Sequence, residues 1–319
     1  MSSTLQLPHL RGDSPQQGSM SRHRAPRSAP LTQVASRFLP PHLLLLISMF
    51  SVQLGAALAK SLFPALGSTG TVLLRLTFAS LMLLLVWRPR LRDYTRRDYG
   101  LVVLFGVCIA GLNGFFYASI ARIPLGIAVT LEFVGPLGVA LASSRRLPDM
   151  LWAVFAAAGV MLLAPIQGMR IDPVGVGLAL GAAGCWAAYI LLSVRVGRIF
   201  PGGTGLALGM SVGAIAIAPF GMRSLTVAWH DPSLLLVGAG VALLSSVIPF
   251  SLEIEALRRL PARIFSVLLS LEPVVGALIG LLVLGETVGL RAIIAMALIV
   301  VASGGISFGG KGDNNHPGR

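Results

Sequence analysis

The residues best suited to chemistry in this sequence are its glutamates. All five lie within or at the ends of long apolar stretches, whereas all seven aspartates lie in tails or polar loops. A carboxyl group inside a bilayer costs about 2.5–3.5 kcal/mol on insertion scales, so it usually marks a proton relay, a substrate pathway or a paired partner. The five residues to explain are Glu132, Glu253, Glu255, Glu272 and Glu286.

Two of these glutamates stand out by their depth. Glu132 and Glu272 fall near the middles of two equivalent apolar segments, close to Pro136 and Pro273, each of which removes a backbone hydrogen bond. We predict a central site around them, with Glu253 as a further candidate. The alternative for each is a buried carboxyl that is permanently protonated or paired. The other two glutamates lie near segment ends, where we expect a solvated or helix-capping role.

Few other polar side chains lie inside the apolar stretches. Arg75 could bind a substrate carboxylate through two parallel hydrogen bonds, or form a salt bridge to a glutamate. Lys60 could contribute to the site, although snorkelling to the outer surface is favoured. Trp186 and Tyr189 lie one turn apart and could line a cavity, although core packing is favoured. The remaining predicted site residues are Gln53, Asn113 and Tyr117.

The composition identifies the class of protein that must position these residues. Of 319 residues, 55% are hydrophobic and only 12% are charged, too little polar surface for a soluble globule. The apolar segments approach the roughly 20 residues that a helix needs to cross a bilayer. We therefore predict an all-α integral membrane protein. The net charge of +13 lies in tails and short loops, so it indicates topology beside a lipid bilayer and no nucleic-acid partner.

The apolar segments and the basic loops together predict a topology. Both termini are predicted to be cytoplasmic, because loops after even-numbered spans are rich in arginine and the opposite loops carry one basic residue each. Residues 1–40 form a predicted disordered basic tail and residues 310–319 a short cytoplasmic tail. The ten predicted spans cover residues 42–63, 69–87, 99–121, 124–143, 149–166, 174–193, 204–221, 233–256, 263–285 and 288–309.

The chain is duplicated. Pro124 and Pro136 align with Pro261 and Pro273 at a constant offset of 137 residues. This repeat divides the chain into residues 41–168 and 169–309, with five predicted spans in each. Because five is odd, the second repeat must enter the membrane upside down. Inverted repeats of this kind are typical of secondary transporters.

Several functions are excluded by what the spans lack. None of the five histidines lies in the interior of a predicted span, since His42 is the first residue of the first span, so we expect no intramembrane metal site, no cofactor and no histidine-based enzyme. No glycine-rich phosphate loop with its lysine is present, which argues against an ATP-driven pump. Glycines recur at four-residue spacing, as in residues 205, 209 and 213, which leaves either a homodimer or packing within the bundle open.

Four stretches carry a resemblance to a known family. They are GAALAKSLFP (55–64), PLGIAVTLEFVGPLGVALASSRR (124–146), GAAGCWAAYILLS (181–193) and IPFSLEIEALRRLPARIFSVLLSLEPVVGALIGLLVLGE (248–286). With them, residues 43–305 resemble the EamA-type branch of the drug/metabolite transporter superfamily, and within it the inner-membrane threonine and homoserine exporters.

The resemblance has implications for both fold and function. It implies ten helices in two inverted repeats, a central cavity and proton-driven efflux, and it adds weight to Glu132 and Glu253. Such proteins often carry arginine in the first span, where this chain has Lys60; the charge is kept but a bidentate role is not.

The residues and the resemblance lead to one main hypothesis. We predict a secondary-active inner-membrane exporter of small polar amino acids, threonine and homoserine, driven by the proton gradient. Glu132 or Glu272 would alternate between a proton and the substrate ammonium while Arg75 faces the carboxylate. The alternative is an exporter of another metabolite or drug class on the same fold.

Overall fold

A computed structural model of the protein describes residues 39–89, 94–142, 147–163, 172–260, 265 and 268–309. Residues 1–38 and 310–319, which make up nearly all of the two predicted tails, lie outside these ranges. The described chain consists of helices and short connections, without a β-strand. The prediction of an all-α protein is confirmed.

The helices follow one another with short connections. A π-helical segment, Leu243–Val247, joins α9 to α10. The α-helices are α1 (Pro41–Lys60), α2 (Phe63–Trp87), α3 (Arg96–Ile120), α4 (Leu125–Glu132), α5 (Val134–Ala142), α6 (Leu147–Leu163), α7 (Pro173–Ile199), α8 (Thr204–His230), α9 (Pro232–Ala242), α10 (Ile248–Arg259), α11 (Glu272–Leu284) and α12 (Leu290–Gly309).

Six helical stretches of the described chain are long and apolar enough to cross a membrane: α1, α2, α3, α7, α8 and the continuous stretch Pro232–Glu253. Shorter apolar helices cover Leu125–Val139, Glu272–Leu284 and Leu290–Ala302. Most predicted spans coincide with one helix, whereas the fourth covers two consecutive segments, α4 and α5, and the eighth covers three, α9, the π-helical segment and α10. The protein is therefore a multi-pass helical membrane protein, while the count of ten spans stays a prediction.

The fourth predicted span is broken into two helices. Pro136 has no N–H to donate to the carbonyl of Glu132 four residues earlier, and the chain bends at Phe133, between α4 and α5. Beyond the bend, a Cβ on Gly135 would lie 2.1 Å from the carbonyl oxygen of Ala183, so the backbones of α5 and α7 are in contact. The break places Glu132 at the end of α4.

Three helices of the described chain, α3, α7 and α9, begin with capping side chains outside the apolar region. The Thr95 hydroxyl accepts from the Asp98 N–H while the Asp98 carboxylate accepts from the Thr95 N–H, which forms a capping box. Asp172 accepts from the Val174 N–H at 2.9 Å at the start of α7. The guanidinium of Arg122 also donates to Asp172 at 2.9 Å, and this bond, followed by the backbone N–H, holds the pKa of the Asp172 carboxyl below its ordinary value.

The most extensive helix contacts join the first half of the chain to the second. α2 packs against α8, α3 against α7 and α8, α4 against α7 and α11, and α6 against α12. α1 packs against α10 and α11, and α2 also contacts α9. The two halves are thus interleaved, and the core lies between them.

Small residues allow this interleaving, and apolar side chains cover the outside. A Cβ on Gly209 would lie 2.6 Å from the ring of Phe105, and one on Gly213 would lie 3.2 Å from the carbonyl of Gly106. These glycines of α8 therefore pack inside the bundle, against α3. The homodimer stays a prediction. Side chains more than 70% exposed, as expected for a lipid-facing surface, include Ile215, Phe220, Leu236 and Leu290.

Candidate functional site

Most of the predicted site residues meet in one region of the bundle, which we call the central polar cluster. Six helices, α1, α2, α3, α4, α10 and α11, contribute to it. Hydrogen bonds or interactions between charges connect all of its members. The cluster comprises Ser48, Gln53, Arg75, Asn113, Tyr117, Glu132, Glu253 and Glu272.

Glu272 lies at the first residue of α11, where a carboxylate interacts favourably with the helix dipole. The side-chain amide of Gln53 on α1 donates to its Oε1 at 3.3 Å. Pro273 follows directly and supplies no N–H, as is common in the first turn of a helix. The amide oxygen of Gln53 is buried and has no hydrogen-bond partner in the described chain, so it is available to a donor from a substrate.

Glu132 lies at the end of α4, beside the break at Phe133, and is 9% exposed. Its carboxyl group forms no hydrogen bond among the described residues, but it interacts electrostatically with Glu272 and with Arg75. A buried carboxyl without a hydrogen-bond partner is costly. This side chain can therefore gain a proton or a bound cation at little structural cost.

Arg75 on α2 is held by three hydrogen bonds. Its Nη1 donates to Asn113 Oδ1 at 2.6 Å and to the Tyr117 hydroxyl at 3.2 Å, and its Nη2 donates to the carbonyl of Ser245 at 2.9 Å. Its guanidinium carbon also lies 5.4 Å from the centroid of the Tyr117 ring. Within the described chain Arg75 forms no salt bridge to a glutamate, and its buried Nε has no partner.

The π-helical segment explains why Arg75 reaches the backbone. The Ile248 N–H bonds to the Leu243 carbonyl, five residues earlier, and Pro249, next in this register, has no N–H for the Leu244 carbonyl. Ser51 on α1 donates to the Leu244 carbonyl at 2.6 Å, and Arg75 donates to the neighbouring Ser245 carbonyl at 2.9 Å. The segment is thus fixed by α1 and α2 together.

Glu253 on α10 is the third carboxyl group of the cluster. Its Oε1 accepts from the Ser48 hydroxyl on α1 at 2.7 Å. Its charge also interacts with Glu272 and with Tyr189. Glu253 therefore belongs to the same polar region as Glu272, one layer nearer the start of α1.

Lys60 lies apart from the central polar cluster. Its ammonium group forms an ion pair with Glu286 Oε1 at 2.5 Å, and the second carboxylate oxygen of Glu286 accepts from the backbone N–H of Leu125 at 2.8 Å. Snorkelling of Lys60 to the outer surface stays a prediction, and the structure gives its ammonium group a carboxylate partner. Glu286 instead has the capping role expected from its position, at the start of α4.

The two predicted aromatic residues pack against other rings. Trp186 meets Phe133 edge to face with centroids 5.7 Å apart, and Tyr189 stacks on Phe105 at 5.0 Å. Trp186 therefore covers the break in the fourth span. This arrangement agrees with core packing as well as with a cavity wall.

A groove of about 590 Å³ lies between α5 and α7, lined by residues between Val134 and Ala142 and between Leu180 and Leu191. Its lining is apolar and includes none of the predicted site residues. The groove is therefore separate from the central polar cluster.

Sequence reasoning missed the serines that complete the site. Ser48 and Ser51 bond to Glu253 and to a freed carbonyl, and the buried Ser246 hydroxyl has no partner in the described chain. The signal for them was present, because each lies in a predicted span near Gln53 or near Pro249. The cluster as a whole offers three carboxyl groups, one guanidinium and neutral hydrogen-bonding groups away from lipid, an arrangement able to bind a proton or a small zwitterion.

Comparison with known proteins gives the family. The pattern of the EamA-like transporter family matches residues 173–308. The threonine/homoserine exporter RhtA of Salmonella typhimurium is 44% identical over 268 residues, 83% of this chain and 90% of the relative. The protein of that name from Escherichia coli K12 is 42% identical over the same shares.

More distant proteins agree with this. The uncharacterized transporter YwfM of Bacillus subtilis is 27% identical over 70% of this chain and 78% of its own. A solved crystal structure with 19% identity aligns with 82% of this chain and 95% of its own at a TM-score of 0.53, which shows a similar fold. The chain therefore belongs to the EamA-like transporter family, as an RhtA-like member.

Proposed function

We propose that this protein is a secondary-active exporter of small polar amino acids, threonine and homoserine, in the inner membrane, driven by the proton gradient. The observation that carries the proposal is the central polar cluster, which holds carboxyl and guanidinium groups inside an otherwise apolar bundle. The RhtA relatives support the substrate class, because 42–44% identity extends over most of both chains.

The exporter has ten spans in two inverted repeats, residues 41–168 and 169–309. The packing supports this division. In the repeat the first span is equivalent to the sixth, the second to the seventh, and so on to the tenth. When each span is replaced by its equivalent, the contacts of α3 with α7 and α8 become contacts of the eighth span, which contains the π-helical segment, with α1 and α2, and these are also present. The pairs α2–α8, α4–α11 and α6–α12 each become the same pair again. A two-fold relation between the repeats produces such a pattern. The EamA match to residues 173–308 also covers almost the whole second repeat.

Both termini lie in the cytoplasm. Contacts between span ends support the alternation of sides: Arg122 pairs with Asp172, and both have predicted positions on the outer side. On the predicted cytoplasmic side, the ring of Tyr94 lies 4.4 Å from that of Phe200. The end of α2 meets the start of α8 there, since the Trp87 ring lies against Gly203.

The central polar cluster binds both charged groups of the substrate, the ammonium and the carboxylate. The ammonium group binds between Glu132 and Glu272, and the buried amide oxygen of Gln53 accepts from it. The carboxylate binds to Arg75, whose Nε has no partner among the described residues. Binding of a proton to the glutamates releases the ammonium, so that the protein exchanges substrate for protons.

The hydroxyl of threonine or homoserine is recognised by neutral polar side chains. Asn113 and Tyr117 surround the guanidinium of Arg75, so a substrate held there by its carboxylate has its side chain within reach of them. A site that hydrogen-bonds a hydroxyl rejects an analogue without it strongly. Threonine should therefore be preferred to valine, its near-isostere.

The test is efflux of labelled amino acids from preloaded proteoliposomes with an imposed proton gradient. We expect threonine and homoserine to leave faster than valine, and efflux to stop when the gradient is collapsed. Glu132→Gln and Glu272→Gln mimic the protonated carboxyl, and at least one should abolish gradient-driven efflux without loss of expression. Equal efflux of threonine and valine would favour another metabolite or drug class, which a competition panel would then identify. Full transport by both variants and by the double variant would exclude these carboxyl groups.

A further inference from the structure

The end of α1, the start of α4 and the end of α11 are joined by one carboxylate. We call Lys60, Leu125 and Glu286 the outer latch. One carboxylate oxygen of Glu286 pairs with the Lys60 ammonium group, and the other accepts a hydrogen bond from the Leu125 N–H at 2.8 Å. The side chains of Lys60 and Glu286 are 22% and 14% exposed, so water can reach the pair only partly. Three span ends are held together by an interaction that needs the charge of Glu286.

The local sequence aims Glu286 at this position. Gly285 has a φ of 65°, a left-handed conformation that glycine adopts without strain, and it ends α11. The Glu286 N–H then bonds back to the Gly280 carbonyl at 3.0 Å. A Cβ on Gly280 would lie 2.6 Å from Glu286 Oε2, so a larger residue there would require the carboxylate to shift. The sequence Leu284–Glu286 therefore ends α11 in a turn that positions this carboxylate.

Both α1 and α4 carry one residue of the latch and one residue of the central polar cluster, with the latch residue nearer the predicted outer end of the helix. Lys60 follows Gln53 by seven residues on α1, and Glu132 follows Leu125 by seven residues on α4. Seven residues are about two turns, or about 10 Å, on the same helix face. Between the two levels Gly276 packs against Val129 and Gln53, where its Cβ would lie 3.2 and 3.4 Å from them. One layer of side chains thus separates the latch from the cluster.

We propose that the Lys60–Glu286 ion pair is the outer gate of the exporter. While it is formed, α1 is held to α4 and α11 and the cluster is closed to the outside; when it breaks, α1 separates and the substrate can leave. The proposal rests on the proposed topology, which puts these three span ends on the outer side.

The experiment measures access to a buried cysteine. Val129 is 1% exposed and lies one turn inside Leu125, so Val129→Cys, in a chain without Cys108 and Cys185, reports opening of the outer side. We expect Glu286→Gln and Lys60→Met each to raise its labelling by an impermeant thiol reagent from outside at least threefold. Glu286→Gln keeps an oxygen for the Leu125 N–H, so a rise assigns the effect to the ion pair. Lys60→Arg should label like the parent.

Two controls separate gating from loss of structure. Asp172→Asn removes an outer ion pair of the same kind, with Arg122, and should leave labelling at residue 129 unchanged. Leu45→Cys, 0% exposed near the start of α1, should not become more reactive from inside in Glu286→Gln, whereas general loosening would raise it. Unchanged labelling of Val129→Cys in both latch variants, or an equal rise with Asp172→Asn, would overturn the proposal. Cysteine labelling needs no substrate, so it tests the proposed gate separately from the proposed choice of amino acid.

Discussion

Ser51 is expected to stabilise the fold through the carbonyl that Pro249 leaves free, and this can be measured as a coupling energy. The Ile248 N–H bonds to the Leu243 carbonyl five residues earlier, so residue 249, next in this register, faces the Leu244 carbonyl, to which Ser51 donates at 2.6 Å. A buried acceptor left without a partner costs about 1–3 kcal/mol, so Ser51→Ala should lose about that much of its free energy of unfolding.

Pro249→Ala supplies the missing backbone donor to the Leu244 carbonyl, five residues earlier. In the Pro249→Ala background, Ser51→Ala should therefore cost less, because the backbone N–H replaces the lost hydroxyl. The expected coupling energy is about 1–3 kcal/mol, the cost of one unsatisfied carbonyl.

The assay is unfolding of the purified protein in detergent by titration with sodium dodecyl sulfate, for the parent, both single variants and the double variant. Pro219→Ala provides the matched control, because Pro219 lies inside α8 and its missing donor is not replaced by Ser51. Effects of Ser51→Ala and Pro219→Ala should add. A coupling below about 0.5 kcal/mol between positions 51 and 249, within the usual scatter of additivity, would refute the reasoning.

Two further predictions concern topology and the latch. In a cysteine-free background, a cysteine at Arg223 should react with an impermeant thiol reagent in intact cells while one at Arg198 is shielded; the reverse pattern would overturn the orientation. Gly280→Ala should displace the Glu286 carboxylate, since its Cβ would lie 2.6 Å from Oε2, and raise outside labelling of Val129→Cys as Glu286→Gln does. Parent-like labelling would mean that the carboxylate finds room.

The class of protein and most of its helix positions follow from the sequence, because the bilayer imposes strong constraints on composition. A helix that crosses it must be apolar over about 20 residues, so each predicted span overlaps helix in the described chain. Boundaries were less well predicted, since polar ends are free to continue as helix. The seventh span, for example, continues beyond residue 221 to His230.

The rarity of polar residues in the spans also identified most of the central polar cluster. Gln53, Arg75 and Asn113 were found in this way, because burial of such groups in lipid is costly and calls for a partner. Their pairing was not predictable. Arg75 is predicted to pair with a glutamate or to bind a substrate carboxylate, and its partners among the described residues are a backbone carbonyl, an amide and a phenol.

Only the tertiary structure decided which span ends meet. Nothing in the local sequence around Lys60 distinguishes a snorkelling side chain from one paired with Glu286, 226 residues later. Likewise, Pro249 indicates that a carbonyl loses its donor, but not that Ser51 replaces it. Apolar periodicity and charge act along the chain and can be read from it. The partner of a buried polar group depends on how the two interleaved halves pack, which the sequence of either half alone does not contain.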